Sequence, residues 1–269
     1  MNMAVCIKQV PDAPSIRMDK ERMSIIREGV ESIINPLDAV ALGAALALKE
    51  REGGKVVALT MGPPQSEEAL REALAAGADE AILISDPRFA GADTLATSHT
   101  LARAIACLEP FPDLILCGRQ SIDSDTGHVG PQIAEELDLP QACGVLEIYR
   151  EEGSLMVRQL SDGFLNTLRI SLPALITVSS QLSAPPHLPF GDIQRAFSEQ
   201  GVTRWGLSDL GLEEGEVGFK GSATKVLRLY RPPPKQRGEI VAGSSQELVE
   251  RLLRELEALS IIDEDRERE

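Results

Sequence analysis

The feature that most constrains the fold is an alternation of short apolar runs with helical segments. The runs that predict buried strands are Met3–Val10, Lys55–Met61, Glu80–Ile84 and Asp113–Cys117. The segments between them carry helix signals, such as Asn35-Pro36 at a start and Gly53-Gly54 at a stop. Strands that alternate with helices predict a three-layer, mostly parallel, Rossmann-like α/β sheet.

The pattern changes after Pro140. Three strands with short turns predict an antiparallel extension of the sheet, and an apolar strand, 174–179, follows them. Residues 184–243 are rich in Pro and Gly and predict a long arm that ends in an amphipathic helix, 245–259. We therefore predict an α/β domain over 1–183, at whose strand ends a ligand such as a nucleotide is considered below, and a C-terminal arm over 184–269. The helix docks on a partner subunit or, alternatively, covers its own domain.

Composition excludes several classes of partner. The formal net charge is −15, so there is no basic excess to bind nucleic acid or an anionic membrane. No apolar run approaches ~20 residues, the length that spans a bilayer. No secretory signal pattern opens the chain, and we expect a cytoplasmic protein. The four cysteines and three histidines form no ligand spacing, so no metal site is predicted. No residue is assigned a catalytic role.

A polar loop, GRQSIDSDT, lies between the fourth strand and a helix predicted over Thr126–Leu137. Asp125 or Thr126 is suited to cap that helix. Unpaired N–H groups at a helix start suit a phosphate, and in a parallel sheet such loops sit where ligands bind. An ordinary capped turn is an equally good interpretation of the loop alone. Five polar segments follow strand ends and are expected to converge on one rim: 6–8, 35–38, 61–63, 91–98 and 118–130.

The familiar nucleotide and hydrolase motifs GxGxxG, GxxxxGK[ST], GxSxG and HExxH are absent. Instead, nearly the whole chain resembles the β subunit of electron transfer flavoproteins. The segments that carry the resemblance are VCIKQVPD, INPLDAVALGAAL, ALTMGPPQSEEALREALAAGADEAIL, FAGADTLATS, DLILCGRQSIDSDTGHVGPQIAEEL and DGFLNTLRISLPALITV. The resemblance implies an adenine nucleotide α-hydrolase-like fold and a heterodimer with an α subunit that carries FAD.

The resemblance also implies an adenine nucleotide in this subunit. Most members of the family hold AMP, whereas a second group, which includes electron-bifurcating members, holds a further FAD that can accept hydride from NADH. The segment Gly91–Ser98 is similar to that second group, so FAD is favoured here and AMP is the alternative. Bifurcation does not follow from FAD binding alone.

Site residues follow from the resemblance. Asp123 and Asp125 are expected on ribose hydroxyls, backbone N–H groups or Arg119, because a carboxylate facing phosphate would repel it. Arg119 is the cation expected near a flavin or pyrophosphate, with a surface ion pair as the alternative. The full cofactor-binding set is Cys6, Asn35, Asp38, Met61, Asp93, Thr94, Thr97, Arg119, Asp123, Asp125, Thr126, Gly127, His128, Val129 and Gly130.

The arm segment 185–197 is similar to the family's recognition segment for acyl-CoA dehydrogenases, with Phe190 as the apolar anchor. Two functions within the family are therefore open. The chain is half of an electron carrier without chemistry of its own, or the NADH-oxidising half of a bifurcating complex. A stand-alone nucleotide-binding regulatory domain is a third possibility. The arm and the apolar face of the helix 245–259 disfavour it, because they need a partner surface.

Overall fold

The structure is a computed structural model of the 269-residue chain. It describes residues 1–12, 17–19, 24–26, 32–151, 154–199, 201–227, 238 and 240–262. The chain forms two compact units, Met1–Arg228 and Leu229–Glu269.

A mixed sheet forms the centre of the first unit. Within the described residues it has nine strands in the order β11-β10-β9-β12-β8-β1-β6-β7-β13. In this spatial order, the seven strands β9-β12-β8-β1-β6-β7-β13 are all parallel to their neighbours. Strand β10 is antiparallel to both β9 and β11. The strands are β1 (Met3–Cys6), β6 (Val56–Met61), β7 (Glu80–Ile84), β8 (Leu114–Gly118), β9 (Gln141–Glu151), β10 (Ser154–Ser161), β11 (Phe164–Ile170), β12 (Ala174–Val178) and β13 (Thr203–Trp205).

Helices cover both faces of this sheet. Helices α1 (Pro36–Glu52) and α2 (Glu67–Ala76) bury their apolar side chains with one face of the strands. Helices α3 (Thr94–Ala106) and α4 (Val129–Glu136) do so on the other face. Strand residues alternate between the two cores: Met3 and Val5 join the first, and Ala4 and Cys6 the second. The predicted three-layer, mostly parallel fold with an antiparallel extension is confirmed.

The first strand is shorter than the sequence predicts. The apolar run Met3–Val10 was expected to be one strand, but β1 ends at Cys6 and β2 (Gln9–Pro11) pairs with β5 (Ser32–Ile34) in a separate two-stranded sheet. The chain leaves the main sheet because Lys8 donates its backbone N–H to Asp38 instead of to a neighbouring strand. A second small sheet pairs β3 (Arg17–Asp19) with β4 (Ser24–Ile26). The sequence predicts a hairpin of 16–18 against 24–26 at this place, and residue 16 lies outside the described residues.

Residues 184–227 have more regular structure than their composition indicates. They contain α5 (Phe190–Ser198), β13 and the short helix α6 (Gly218–Gly221). Arg71 on α2 donates to the carbonyl of Ala196 at 2.7 Å, and Arg204 pairs with Glu67. This half of the predicted arm packs within the first unit, since β13 forms an edge of the main sheet. The proposed functional division at residue 183 stays a prediction.

The second unit contains α7 (Ser245–Ala258), close to the predicted helix 245–259. Ser244 and Glu247 form a reciprocal capping box at its start. Its apolar stripe includes Val249, Leu252 and Leu253, which are 54%, 58% and 45% exposed. None of the helices within the described residues is long and apolar enough to cross a membrane.

Candidate functional site

The order in which the chain adds strands to the sheet reverses between β1 and β8. From β1 the chain continues through β6 and β7 on one side, and β8, β12 and β9 lie on the other. The chain after β1 leads to α1 on one face, whereas the loop after β8 leads to α4 on the opposite face. Chains that diverge in this way leave a crevice, and open α/β sheets bind their ligands there.

Two buried polar side chains, Asn35 and Asp38, connect the two sides of this crevice, the chain after β1 and the end of β8 with the loop that follows it. The Asp38 carboxylate accepts N–H bonds from Lys8 at 2.8 Å and from Gly118 at 3.0 Å. The sequence predicts Asn35 as the cap of α1; it occupies the cap position, but its side chain makes no hydrogen bond to the first turn. Its amide instead donates to the carbonyl of Gln120 at 2.9 Å and accepts the Ile122 N–H at 3.1 Å. Both residues therefore shape the loop after β8.

Burial raises the pKa of Asp38 from 3.8 to about 7, and bonds from Asn35, Lys8 and Gly118 oppose the shift. Between these pH values the folded protein retains a proton that the unfolded chain releases. The stability contributed by this group is therefore complete below about pH 3.8 and is lost as the pH rises through about 7.

We expect the stability advantage of the wild type over Asp38→Asn to shrink as the pH rises. The difference in unfolding free energy should fall by up to about 1.4 kcal/mol per pH unit between about pH 5 and 7, then level off. Urea unfolding of both proteins across that range measures it. Parallel stability curves would show that Asp38 does not titrate there.

The loop after β8 carries an ion pair with the chain after β1. Lys8 Nζ lies 2.6 Å from Asp123 Oδ1, and Ser121 donates its hydroxyl to the same oxygen at 2.7 Å. Among the described residues, the cation that pairs with Asp123 is thus Lys8, not Arg119. Asp125 accepts from the side-chain amide of Gln120. Both carboxylates are engaged by neighbouring side chains, which reduces the repulsion that a phosphate would otherwise meet.

The helix after this loop begins later than predicted. Helix α4 starts at Val129, His128 occupies the cap position, and no side chain caps it. Neither Asp125 nor Thr126 caps the helix. Asp125 lies three residues before the cap position, has φ +56°, and its carboxylate accepts a hydrogen bond from Gln120. A tight turn at Gly127, φ +67°, separates the loop from the helix.

A run of unpaired backbone donors results. Among the described residues, no acceptor pairs with the N–H groups of residues 126–130. Gly130 is buried, and a Cβ there would lie 2.5 Å from the side chain of Thr177, so α4 approaches β12 closely at this point. Thr126 and His128 are exposed, and Gly127 and Val129 are half-buried. Consecutive free N–H groups at the positive end of a helix bind anions well.

Three further predicted residues line this edge of the sheet. Arg119 is exposed, and its guanidinium makes no ion pair with any residue that the structure describes. Cys6 ends β1 and is buried beside Cys117. A hydrogen bond with Cys6 and burial raise the pKa of the Cys117 thiol, so it remains neutral and unreactive. Met61 ends β6 and is half-buried.

At the start of α3, Asp93 acts as a cap and as an anchor. Its carboxylate accepts the Ala96 N–H at 3.0 Å and both the N–H and hydroxyl of Thr224, at 2.8 and 2.9 Å. The hydroxyls of Thr94 and Thr97 are half-buried and have no hydrogen-bond partner in the described part of the chain. The threonines are thus available to a ligand, whereas Asp93 is occupied.

Other features of the unit lie away from this rim. A groove of about 460 Å³ lined by Ala44, Leu48, Arg51 and Tyr149, among others, includes none of the predicted site residues. Within the residues described, no group of three or more His, Cys, Asp or Glu side chains is placed to hold a metal ion. Phe190, the predicted anchor, begins α5 and is 81% exposed.

One residue of the rim, Lys8, was not predicted as a site residue. Its position after the first strand was a usable signal, because it lies among the polar segments that converge on the rim. Its pairing with Asp123 is a contact between residues 115 positions apart, which no local pattern reveals.

Comparison with known proteins identifies the family of the chain. Residues 22–202 match the family model described as the electron transfer flavoprotein domain. The chain is 45% identical over 264 residues to the electron transfer flavoprotein subunit beta of Thermoanaerobacterium thermosaccharolyticum, covering 97% of this chain and 100% of that protein. It is 46% identical over 247 residues to the caffeyl-CoA reductase-Etf complex subunit CarD of Acetobacterium woodii, covering 91% and 93%. Protein FixA of Sinorhizobium fredii is 40% identical over 263 residues, with 95% and 92% covered.

The three relatives match almost the full length of the chain, and together with the family model they confirm the resemblance seen in the sequence. The chain therefore belongs to the electron transfer flavoprotein family, among its β subunits.

Proposed function

We propose that this chain is the β subunit of a heterodimeric electron transfer flavoprotein and binds FAD in the crevice between β1 and β8. It passes electrons from a dehydrogenase of the acyl-CoA dehydrogenase type, or from NADH in a bifurcating system, to downstream acceptors through the FAD of the α subunit. The observation that carries the proposal is the run of free N–H groups over residues 126–130.

The residues present suit a flavin nucleotide. The N–H groups at the start of α4 would hold phosphoryl oxygens, and Arg119 is a nearby cation without an ion-pair partner among the described residues. A cation beside the isoalloxazine favours its reduced anionic form, which is one way to tune the potential. FAD supplies the redox chemistry when bound; the chain binds and orients it.

The choice between FAD and AMP depends on the start of α3. Thr94 and Thr97 supply hydroxyls that a ribityl chain or second phosphate can use, which favours FAD. The engagement of Asp93 with Ala96 and Thr224 favours the alternative, an AMP-binding structural subunit of a non-bifurcating carrier, because it removes one polar group from the site.

The double variant Thr94→Val, Thr97→Val tests this choice in the heterodimer. We expect FAD affinity at this chain's site to fall about tenfold, since two hydrogen bonds are lost, while AMP affinity stays unchanged. Isothermal titration measures both. Thr203→Val, at an exposed position of β13, is the control. Equal losses for the two nucleotides would count against FAD contacts at α3.

The exposed Phe190 is proposed to dock on an acyl-CoA dehydrogenase-type partner. We expect Phe190→Ala to slow electron transfer from that partner about tenfold or more, because a single aromatic anchor often dominates a small interface. Phe164→Ala, which removes a ring that is 72% exposed on β11, is the control, with α-subunit retention measured in both. An unchanged rate for Phe190→Ala would assign docking elsewhere.

A further inference from the structure

Helix α5 begins at the exposed Phe190, and a guanidinium from α2 contacts its other end. Arg71 Nη1 donates to the carbonyl of Ala196 at 2.7 Å. The last four carbonyls of a helix have no partner within the helix, and a positive charge suits that end of the helix dipole. The same guanidinium lies 5.8 Å from the centroid of the Phe197 ring. Arg71 therefore contacts two successive residues of α5.

Glu67, one turn earlier on α2, orients this guanidinium. One oxygen of its carboxylate accepts from Arg71 Nε at 3.0 Å and from Nη2 at 2.7 Å, and the other accepts from Arg204 on β13. The hydrogen bonds from Arg204 and Arg71 lower the pKa of Glu67, so the carboxylate is ionised at neutral pH. Because two nitrogens of a planar group are bonded to Glu67, the direction of the third, toward Ala196, is set.

Apolar packing alone would not fix the orientation of α5. Ala196 is fully buried in the core that α1 and α2 cover, and Ile193 packs against that core. Burial of apolar surface is favourable but non-directional, so it leaves the helix some freedom to turn or slide on α2. The hydrogen bond from Arg71 to Ala196 is directional and selects one orientation.

The orientation of α5 decides where Phe190 points. The ring of Phe190 is 81% exposed, so the core contributes little to holding it and the helix must do so. Phe197 follows about two helical turns later, which places both rings on the same face of α5. Arg71 thus contacts the face of the helix that carries Phe190.

We propose that Arg71 is a positioning residue for partner recognition: it fixes α5 on α2 and thereby the direction in which Phe190 meets an acyl-CoA dehydrogenase-type partner. The proposal rests on the docking role proposed for Phe190. It names a residue on which that role depends and which lies 125 positions from the Ala196 carbonyl that it binds.

The test is a double-mutant cycle on the heterodimer, with an acyl-CoA dehydrogenase reduced by its acyl-CoA substrate as the electron donor. When the heterodimer concentration is varied, Arg71→Gln should raise KM about tenfold and leave kcat within about twofold, because recognition is impaired and the flavin site is not. In the Phe190→Ala background the same change should raise KM by less than about threefold, since the ring that Arg71 positions is then missing.

Arg158→Gln is the matched control. It breaks a surface pair with Glu147 between β9 and β10, and KM should stay unchanged. Thermal melting and reduction by dithionite, which needs no docking, separate loss of fold or flavin from loss of recognition. If Arg71→Gln fails to fold, Arg71→Lys replaces it in the cycle; it keeps the charge but lacks the planar fork, and should raise KM about threefold.

The outcomes distinguish this inference from the proposed function. Equal rises in KM in both backgrounds, a fall in kcat alone, or an unchanged KM for the Arg71 variant would overturn the inference and leave the docking role of Phe190 intact. A normal rate for Phe190→Ala would instead overturn that docking role, and this inference with it.

Discussion

Gly118→Ala is expected to remove much of the stability of the first unit. A Cβ at this position would lie 2.2 Å from Asp38 Oδ1 and 2.9 Å from both the backbone N of Asp38 and the carbonyl carbon of Leu37. Two of these three atoms are backbone in the first turn of α1, so the helix itself would have to move away from β8. That movement would also break the bond from the Gly118 N–H to the buried Asp38 carboxylate.

The expected loss is about 3 kcal/mol or more, because overpacking and an unsatisfied buried carboxylate act together. Urea unfolding of the variant against Gly191→Ala measures it. Gly191 lies in α5, and an added Cβ there would meet no atom within 4 Å, so its replacement should be nearly neutral. A Gly118→Ala protein within about 1 kcal/mol of the control would refute the close approach of α1 to β8.

Gly127→Val is expected to have the largest effect on ligand affinity. Gly127 has φ +67°, a backbone conformation that a β-branched residue rarely adopts, and it lies within the run of free N–H groups. The variant should relieve strain by rotating this peptide, which turns donors away from the ligand. We expect FAD affinity to fall about 100-fold, since several phosphate contacts depend on one turn.

The matched control for strain is Gly163→Val, in the turn between β10 and β11. Gly163 has φ +81° and no atom within 4 Å of an added Cβ, so it carries a similar backbone penalty at a site remote from the rim. Fluorescence titration should show normal FAD affinity for this control despite some loss of stability. If both variants bind FAD equally well, the turn at Gly127 does not form the phosphate site.

Much of the sheet could be predicted because buried parallel strands are short apolar runs between helices. Both the order of elements and the convergence of their polar ends follow from local pattern and general topology rules. The end of β1 could not be predicted this way. The sequence predicts one strand over Met3–Val10, and the long-range bond from the Lys8 N–H to Asp38 takes the chain out of the main sheet after Cys6.

The site was predicted at the level of segments rather than of contacts. The loop 118–130 and the small residues Gly127 and Gly130 have local signatures, and both lie at the rim. The roles of Asn35, Asp93 and Asp123 depend on partners 85 to 131 positions away, which a single sequence does not specify. The same limit applies to β13, whose three residues form a strand because the neighbouring β7 offers an open edge.

The nucleotide content of the purified heterodimer is the most direct test of FAD binding in the crevice between β1 and β8. Acid extraction followed by chromatography should release two FAD molecules per heterodimer and no AMP, and the Gly127→Val heterodimer should release one. One FAD together with one AMP per unaltered heterodimer would contradict FAD as the ligand of this chain.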